Sequence, residues 1–172
     1  MPVHLYGNLF PTHQLRNKLK KKIVIIEDSA HAFCGEYNGK KIGYYSDFLI
    51  FSFYATKSIT CGEGGAILSN NKKIMEKVRS ISNNGMTKPS FKRFVNNKYI
   101  PWDVKNFGFK ANLSDINASL LKEQILNYKK LSKKKERIFK MYKKKISLLK
   151  EINFPVNIKN KNRDYYLFPI GV

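Results

Sequence analysis

Two uninterrupted apolar runs, Ile23-Val24-Ile25-Ile26 and Phe48-Leu49-Ile50-Phe51, constrain the fold of this chain more than any other feature. Neither run alternates with polar residues, so neither suits a strand with one face in water. Continuous β-branched and aromatic runs suit strands covered on both faces, which belong to α/β architectures with helices packed on the sheet. A first strand is predicted over Ile23–Ile26, ending at Glu27-Asp28. A second follows over Asp47–Phe53, then a small-residue loop over Lys57–Gly65, then a third strand over Ala66–Ser69. Between the first two, Asn38-Gly39 is a strong hairpin signal, because both turn residues must accept positive φ.

Helical spacing accounts for much of the remainder. A short basic helix is predicted over 13–22, and a second over Lys72–Asn83, where Ile74, Val78 and Ile81 share a face and Gly85 supplies a stop. Ser114 is placed to cap a third helix with Ile116, Leu120, Leu121, Ile125 and Tyr128 turned inward. A further helical stretch carries Ile138, Met141, Tyr142 and Leu149 inward and is closed by Pro155. Thr87–Phe107 has no period and predicts a long loop, whereas Tyr165–Val172 predicts a final strand.

At 172 residues and 42% hydrophobic, the chain can bury a core without metal or disulfide. No apolar run approaches the ~18 residues of a membrane span, and Met1–Gly7 does not open a secretory signal, so a cytoplasmic location is expected. Cys34 and Cys61 lack ligand spacing and are expected to be reduced thiols. The net charge of +21 invites a nucleic-acid reading, but 28 of the 33 basic residues are Lys and only 5 are Arg. Reading of base edges and bidentate phosphate clamping favour Arg. The lysines also cluster on segments that read as solvated helix faces, Lys133–Lys135 and Lys143–Lys145 among them.

Four features fall at the ends of the predicted strands, where open α/β sheets place ligands: Asp28, His31, the Ser52–Lys57 segment and the Gly62-Glu63-Gly64-Gly65 loop. Each alone has an ordinary structural explanation: a cap or ion pair for Asp28, a hydrogen-bonded histidine, a half-buried hydroxyl for Ser52, and a tight turn. Together they supply what pyridoxal phosphate (PLP) chemistry requires. That chemistry needs a lysine for the Schiff base, a carboxylate to keep the pyridinium nitrogen protonated, and hydroxyls and amides for the phosphate.

Glu27-Asp28-Ser29-Ala30-His31-Ala32-Phe33 and the later Phe51-Ser52-Phe53-Tyr54-Ala55-Thr56-Lys57-Ser58-Ile59-Thr60-Cys61-Gly62-Glu63-Gly64-Gly65 resemble the central signature of the DegT/DnrJ/StrS family of PLP-dependent nucleotide-sugar aminotransferases. The resemblance extends through Met1–Gly7, Asn84-Gly85-Met86 and Gly108–Ala118, in the family's order. It implies an α/β fold, a partial fold-type-I PLP-dependent transferase with a mixed sheet and flanking helices. Residues 1–112 would form the second half of the PLP-binding large domain. Residues 113–172 would be the helical connection and the beginning of the C-terminal small domain.

Carried over by resemblance, Lys57 is the Schiff-base lysine and proton carrier, Asp28 pairs with the pyridinium nitrogen, His31 sits against the ring near its hydroxyl, and Ser52 bonds the phosphate. Asn112 would reach the phosphate bound by the other subunit of a homodimer; its alternative is a helix-capping side chain ahead of Ser114. Lysine at position 57 argues against the branch of the family that has histidine there and dehydrates its sugar. Trp102-Asp103-Val104 and Lys110-Ala111-Asn112-Leu113 are most similar to members that aminate a UDP-linked 4-keto sugar for lipopolysaccharide or another surface polysaccharide, with glutamate the common donor. The resemblance also implies a fragment that lacks the N-terminal part and most of the small domain, and that binds PLP weakly and turns over little alone. Two rival readings are a non-enzymatic basic nucleic-acid-binding module and a catalytically dead remnant.

Overall fold

The computed structural model describes residues 1–20, 23–87, 94–101, 103–154 and 163–172. Two units emerge: Met1–Leu68 together with Asp115–Val172, and Ser69–Ser114.

The first unit is built on a mixed three-stranded sheet in the order β1 (Ile26–Asp28), β4 (Phe48–Ser52), β5 (Gly65–Leu68). β1 runs parallel to β4, with Ile26 opposite Phe48 and Asp28 opposite Ile50; β5 runs antiparallel to β4, with Ser52 opposite Gly65. Between β1 and β4, β2 (Glu36–Tyr37) and β3 (Lys40–Lys41) form the expected hairpin. Asn38 and Gly39 turn it at φ +50° and +72°.

The first strand differs from its expectation. Ile23 and Val24 lie outside β1 and are 47% and 58% exposed, so the apolar run is not covered on both faces. Pairing decides where the strand begins, because β4 starts at Phe48 and offers its first partner to Ile26. Just ahead, Ile25 is held differently. Its N–H donates to the Asp47 carboxylate at 2.7 Å, and its carbonyl accepts from the Asp47 and Phe48 amides. Asp47 also pairs with Arg16 at 2.6 Å, which docks helix α1 (Thr12–Lys18) beside the sheet.

Helices α3 (Asp115–Leu126) and α4 (Tyr128–Ile146) meet at Asn127, where one continuous pattern had placed Tyr128 on the earlier helix. Their expected inward faces are corrected in part. Leu121, Tyr128 and Phe139 are buried, while Ile116, Leu120, Ile125, Ile138, Met141 and Tyr142 are exposed. The packed stripe of α4 is the one that meets aromatic rings. Tyr128 lies against Phe33 at 4.9 Å, and Phe139 lies against Tyr165 and Phe168 at 5.2 and 4.7 Å. The expected final strand is also corrected. Residues 163–170 pack through side chains without a ladder, and only Gly171 forms an antiparallel bridge, to Asn153. Pro155 lies outside the described residues.

In the second unit, helix α2 (Lys72–Ile81) begins at Asn71, whose side chain accepts the Ile74 N–H at 3.1 Å. Its C-terminal end is wrapped by residues 104–111, bridging Asn83 to Lys110 and Met86 to Val104. A Cβ on Gly108 would lie 2.1 Å from the Gly85 nitrogen, so this approach requires glycine. The segment expected to be a structureless loop contains a hairpin, β6 (Phe94–Val95) with β7 (Lys98–Tyr99). Asn96 and Asn97 turn it at φ +50° and +60°. Asparagine tolerates that region, which lets Asn-Asn replace the glycine-bearing signal. Among the described residues no helix is long and apolar enough to cross a membrane.

Candidate active site

Parallel pairing of β1 and β4 sets their C-terminal ends side by side, with Asp28 closing one and Ser52 the other. Past β1 the chain turns sharply. Ser29 N–H donates to the Ile50 carbonyl at 2.8 Å, and Asp28 Oδ1 accepts the Ala30 N–H at 3.0 Å. This Asx-type turn lets the chain double back, carrying His31 over the strand end. Past β4, the Phe53 carbonyl accepts from Cys61 N–H and Thr60 Oγ1, closing a loop that contains Lys57. Gln124 of α3 clamps the loop from outside, accepting from Thr60 N–H at 3.0 Å and donating to its carbonyl at 2.7 Å.

His31 lies within electrostatic reach of both Lys57 and Asp28. Burial disfavours its imidazolium, the Lys57 charge adds to that effect and Asp28 opposes it, so the ring titrates below its ordinary value. Its Nδ1 accepts the Tyr6 N–H at 3.4 Å, as a neutral ring can. A residue missed by the sequence reading completes the group. The Tyr166 ring stands 4.8 Å from that of His31, its centroid is 5.3 Å from Lys57 Nζ, and its hydroxyl is 3.5 Å from Thr56 Oγ1. In the sequence Tyr166 is part of an apolar run, and no local pattern near Lys57 points to a side chain so distant in sequence.

Thus Asp28, His31 and Lys57 gather past the C-terminal ends of β1 and β4, with Tyr166 against His31 and Lys57. Ser52 closes the neighbouring strand, half-buried, its Oγ accepting the Tyr54 N–H at 3.4 Å. Asn112 is exposed and belongs to the second unit. Trp102 lies outside the described residues. The donor set suits a pyridinium aldehyde: a primary amine for the carbonyl, a carboxylate for a protonated ring nitrogen, a largely uncharged imidazole beside a flat ring, and a hydroxyl for phosphate. Among the described residues no cluster of three or more His, Cys, Asp or Glu could hold a metal ion instead.

Fold and donor set together define part of a fold-type-I, PLP-dependent enzyme. Comparison with known proteins gives its kind. The model of the DegT/DnrJ/EryC1/StrS aminotransferase family matches residues 1–172. The UDP-4-amino-4,6-dideoxy-N-acetyl-beta-L-altrosamine transaminase of Campylobacter jejuni is 34% identical over 95% of this chain and 42% of its own length. Among solved structures, Helicobacter pylori PseC, an aminotransferase involved in pseudoaminic acid biosynthesis, superposes with a TM-score of 0.85 and 28% identity. That match covers 98% of this chain and 43% of PseC. Spr1654 of Streptococcus pneumoniae in its PLP form superposes with a TM-score of 0.80 and 25% identity, over 98% of this chain and 46% of that one. The chain belongs to the DegT/DnrJ/EryC1/StrS aminotransferase family, whose cofactor is pyridoxal phosphate, and it spans less than half the length of these relatives.

Proposed function

We propose that the chain is the lysine-bearing part of a PLP-dependent aminotransferase that aminates a nucleotide-linked keto sugar. The observation that carries this reading is the convergence of Asp28, His31 and Lys57 at the ends of two adjacent strands. When bound, the cofactor supplies an electron sink and a carrier for the amino group. In this reading Lys57 would hold the cofactor through Nζ and, once released, would serve as the proton carrier. The Asp28 carboxylate would keep the cofactor's ring nitrogen protonated, the His31 imidazole would support the ring, and the Ser52 hydroxyl would help to hold the phosphate. Tyr166, whose ring lies against both His31 and Lys57, limits water on that side.

The finer assignments follow the relatives. The substrate is a UDP-4-keto sugar, a reading supported by the UDP-linked amino sugar in the name of the Campylobacter transaminase; the donor is glutamate, and the product goes to surface polysaccharide or lipopolysaccharide synthesis in the cytoplasm. Residues 1–112 belong to the large domain and 113–172 to the connection and small domain. The working enzyme is a homodimer in which Asn112 reaches the phosphate bound by the other subunit. The test is an absorbance titration of the purified chain with PLP. A visible band that disappears in Lys57→Ala supports the reading, and amination of UDP-4-keto sugars is then assayed by mass spectrometry. A band unchanged in Lys57→Ala overturns it.

A further inference from the structure

Asp164 is fully enclosed, at 0% exposure, and none of the roles above uses it. A carboxylate survives in such a place only where donors meet it. Here its Oδ1 accepts the Ser58 hydroxyl at 3.0 Å and its Oδ2 accepts the Phe33 N–H at 2.8 Å. Ser58 directly follows Lys57, and its carbonyl accepts a second bond, from Lys135 Nζ of α4 at 3.2 Å. The residue beside Lys57 is therefore gripped by both side chain and backbone. Phe33 lies two residues past His31, so one carboxylate ties the His31 loop to the Lys57 loop.

Asp164 is itself anchored. Gly7, at φ +81°, packs so closely that a Cβ there would lie 1.8 Å from the Asp164 carbonyl oxygen. The neighbouring Arg163, also buried, donates from Nη2 to the Tyr6 carbonyl at 2.8 Å. Two residues past Asp164, Tyr166 sets its ring against both His31 and Lys57. Lys135 is half-buried, and the negative charge of Asp164 partly offsets the cost of keeping it there.

We propose that Asp164 is a positioning residue for Lys57: through Ser58 it fixes the lysine's backbone, and through the segment it begins it fixes the ring beside the lysine amine. The proposal rests on Lys57 being the cofactor-bonding lysine. Such positioning has value because small misplacements of a reacting group slow its reaction steeply.

The test compares the 172-residue chain with Ser58→Ala, Asp164→Asn, their double variant, and Ile25→Val as a buried change without this contact. The first readout needs no cofactor: trace acetic anhydride labels the lysines from about pH 7 to about pH 10, bracketing the approach to a lysine's ordinary pKa. Peptide mass spectrometry then gives Lys57 reactivity relative to exposed Lys140. The expected result is a rise of about threefold or more in each single variant, no further rise in the double variant, and no change in Ile25→Val. Unchanged Lys57 reactivity, fully additive effects, or an equal rise in Ile25→Val overturns the proposal. If Asp164→Asn does not fold by circular dichroism, Ser58→Ala alone carries the comparison.

The second readout is the rate at which added PLP produces the Lys57-dependent band, expected to fall about tenfold in each single variant. Absence of the band in the unsubstituted chain, with the expected acetylation pattern, counts against PLP binding by this chain alone and keeps the hold of Asp164 on the Lys57 loop. A band formed at the same rate in every variant, with unchanged acetylation, keeps the cofactor reading and removes the positioning.

Discussion

Glu27 shows how a buried charge can support a site without entering it. It is 1% exposed, and its Oε2 accepts from His4 Nε2 at 3.0 Å and from Gly43 N–H at 2.8 Å. The Phe10 N–H donates to His4 Nδ1, so the His4 proton resides on Nε2 and points at Glu27. Burial raises the carboxyl's pKa, but bonds from His4, Gly43 and Thr12 together outweigh it, and Glu27 titrates below its ordinary 4.5. Its contribution to stability is therefore fully present above about pH 4.5 and is lost as pH falls through the lower folded value. Glu27→Gln would set an amide against donors already aimed at this point. It is expected to lower unfolding stability at pH 7 by about 1–3 kcal/mol and to flatten the acid limb of stability against pH, measured by urea titration. His31 gives a second prediction with opposed signs. Lys57→Met removes a cation that disfavours the imidazolium and should raise the His31 pKa, whereas Asp28→Asn should lower it further. NMR titration of the imidazole reads both. In the unsubstituted chain, stability linked to His31 is complete above about pH 6.5 and falls as pH drops through the depressed folded value.

At the level of elements, the sequence was most readable where a short-range cause acts alone. Asn38-Gly39 dictates its hairpin through two positive φ values, and Asn71 starts α2 by accepting an orphan helix N–H. Asn71→Ala is expected to lower stability by about 1 kcal/mol and to speed amide exchange in the first turn of α2, read by hydrogen-exchange mass spectrometry. Long-range causes were less readable. Ile23-Val24 has as strong a strand pattern as Ile25-Ile26, yet only residues opposite Phe48 and beyond find a ladder. The apolar positions of α4 satisfy more than one face, and the rings of Phe33, Tyr165 and Phe168 decide which is buried. Asp28, Ser52 and Lys57 could be located at strand ends because adjacent apolar runs announce those ends. Tyr166 and Asp164 could not, since their place follows from a chain return that no local periodicity encodes.

Across the whole molecule, two tendencies oppose one another. A net charge of +21 keeps copies apart, while Ile116 and Leu126 of α3, 78% and 71% exposed, offer apolar surface that gains by being covered. Burying one such side chain is worth roughly 1.5–3 kcal/mol, independent of salt to a first approximation. The repulsion does depend on salt, because the screening length shrinks from about 30 Å at 0.01 M to about 3 Å at 1 M ionic strength. Raising salt should therefore promote self-association, the reverse of what a lysine-driven complex with nucleic acid would do, since such complexes weaken as salt rises. Sedimentation velocity across that range is expected to show larger species at high salt. The paired change Ile116→Lys and Leu126→Lys should suppress them, by removing apolar contact and adding charge on the same helix. Dissociation on adding salt would instead assign the association to charge, and would make the lysine faces rather than α3 the adhesive surface.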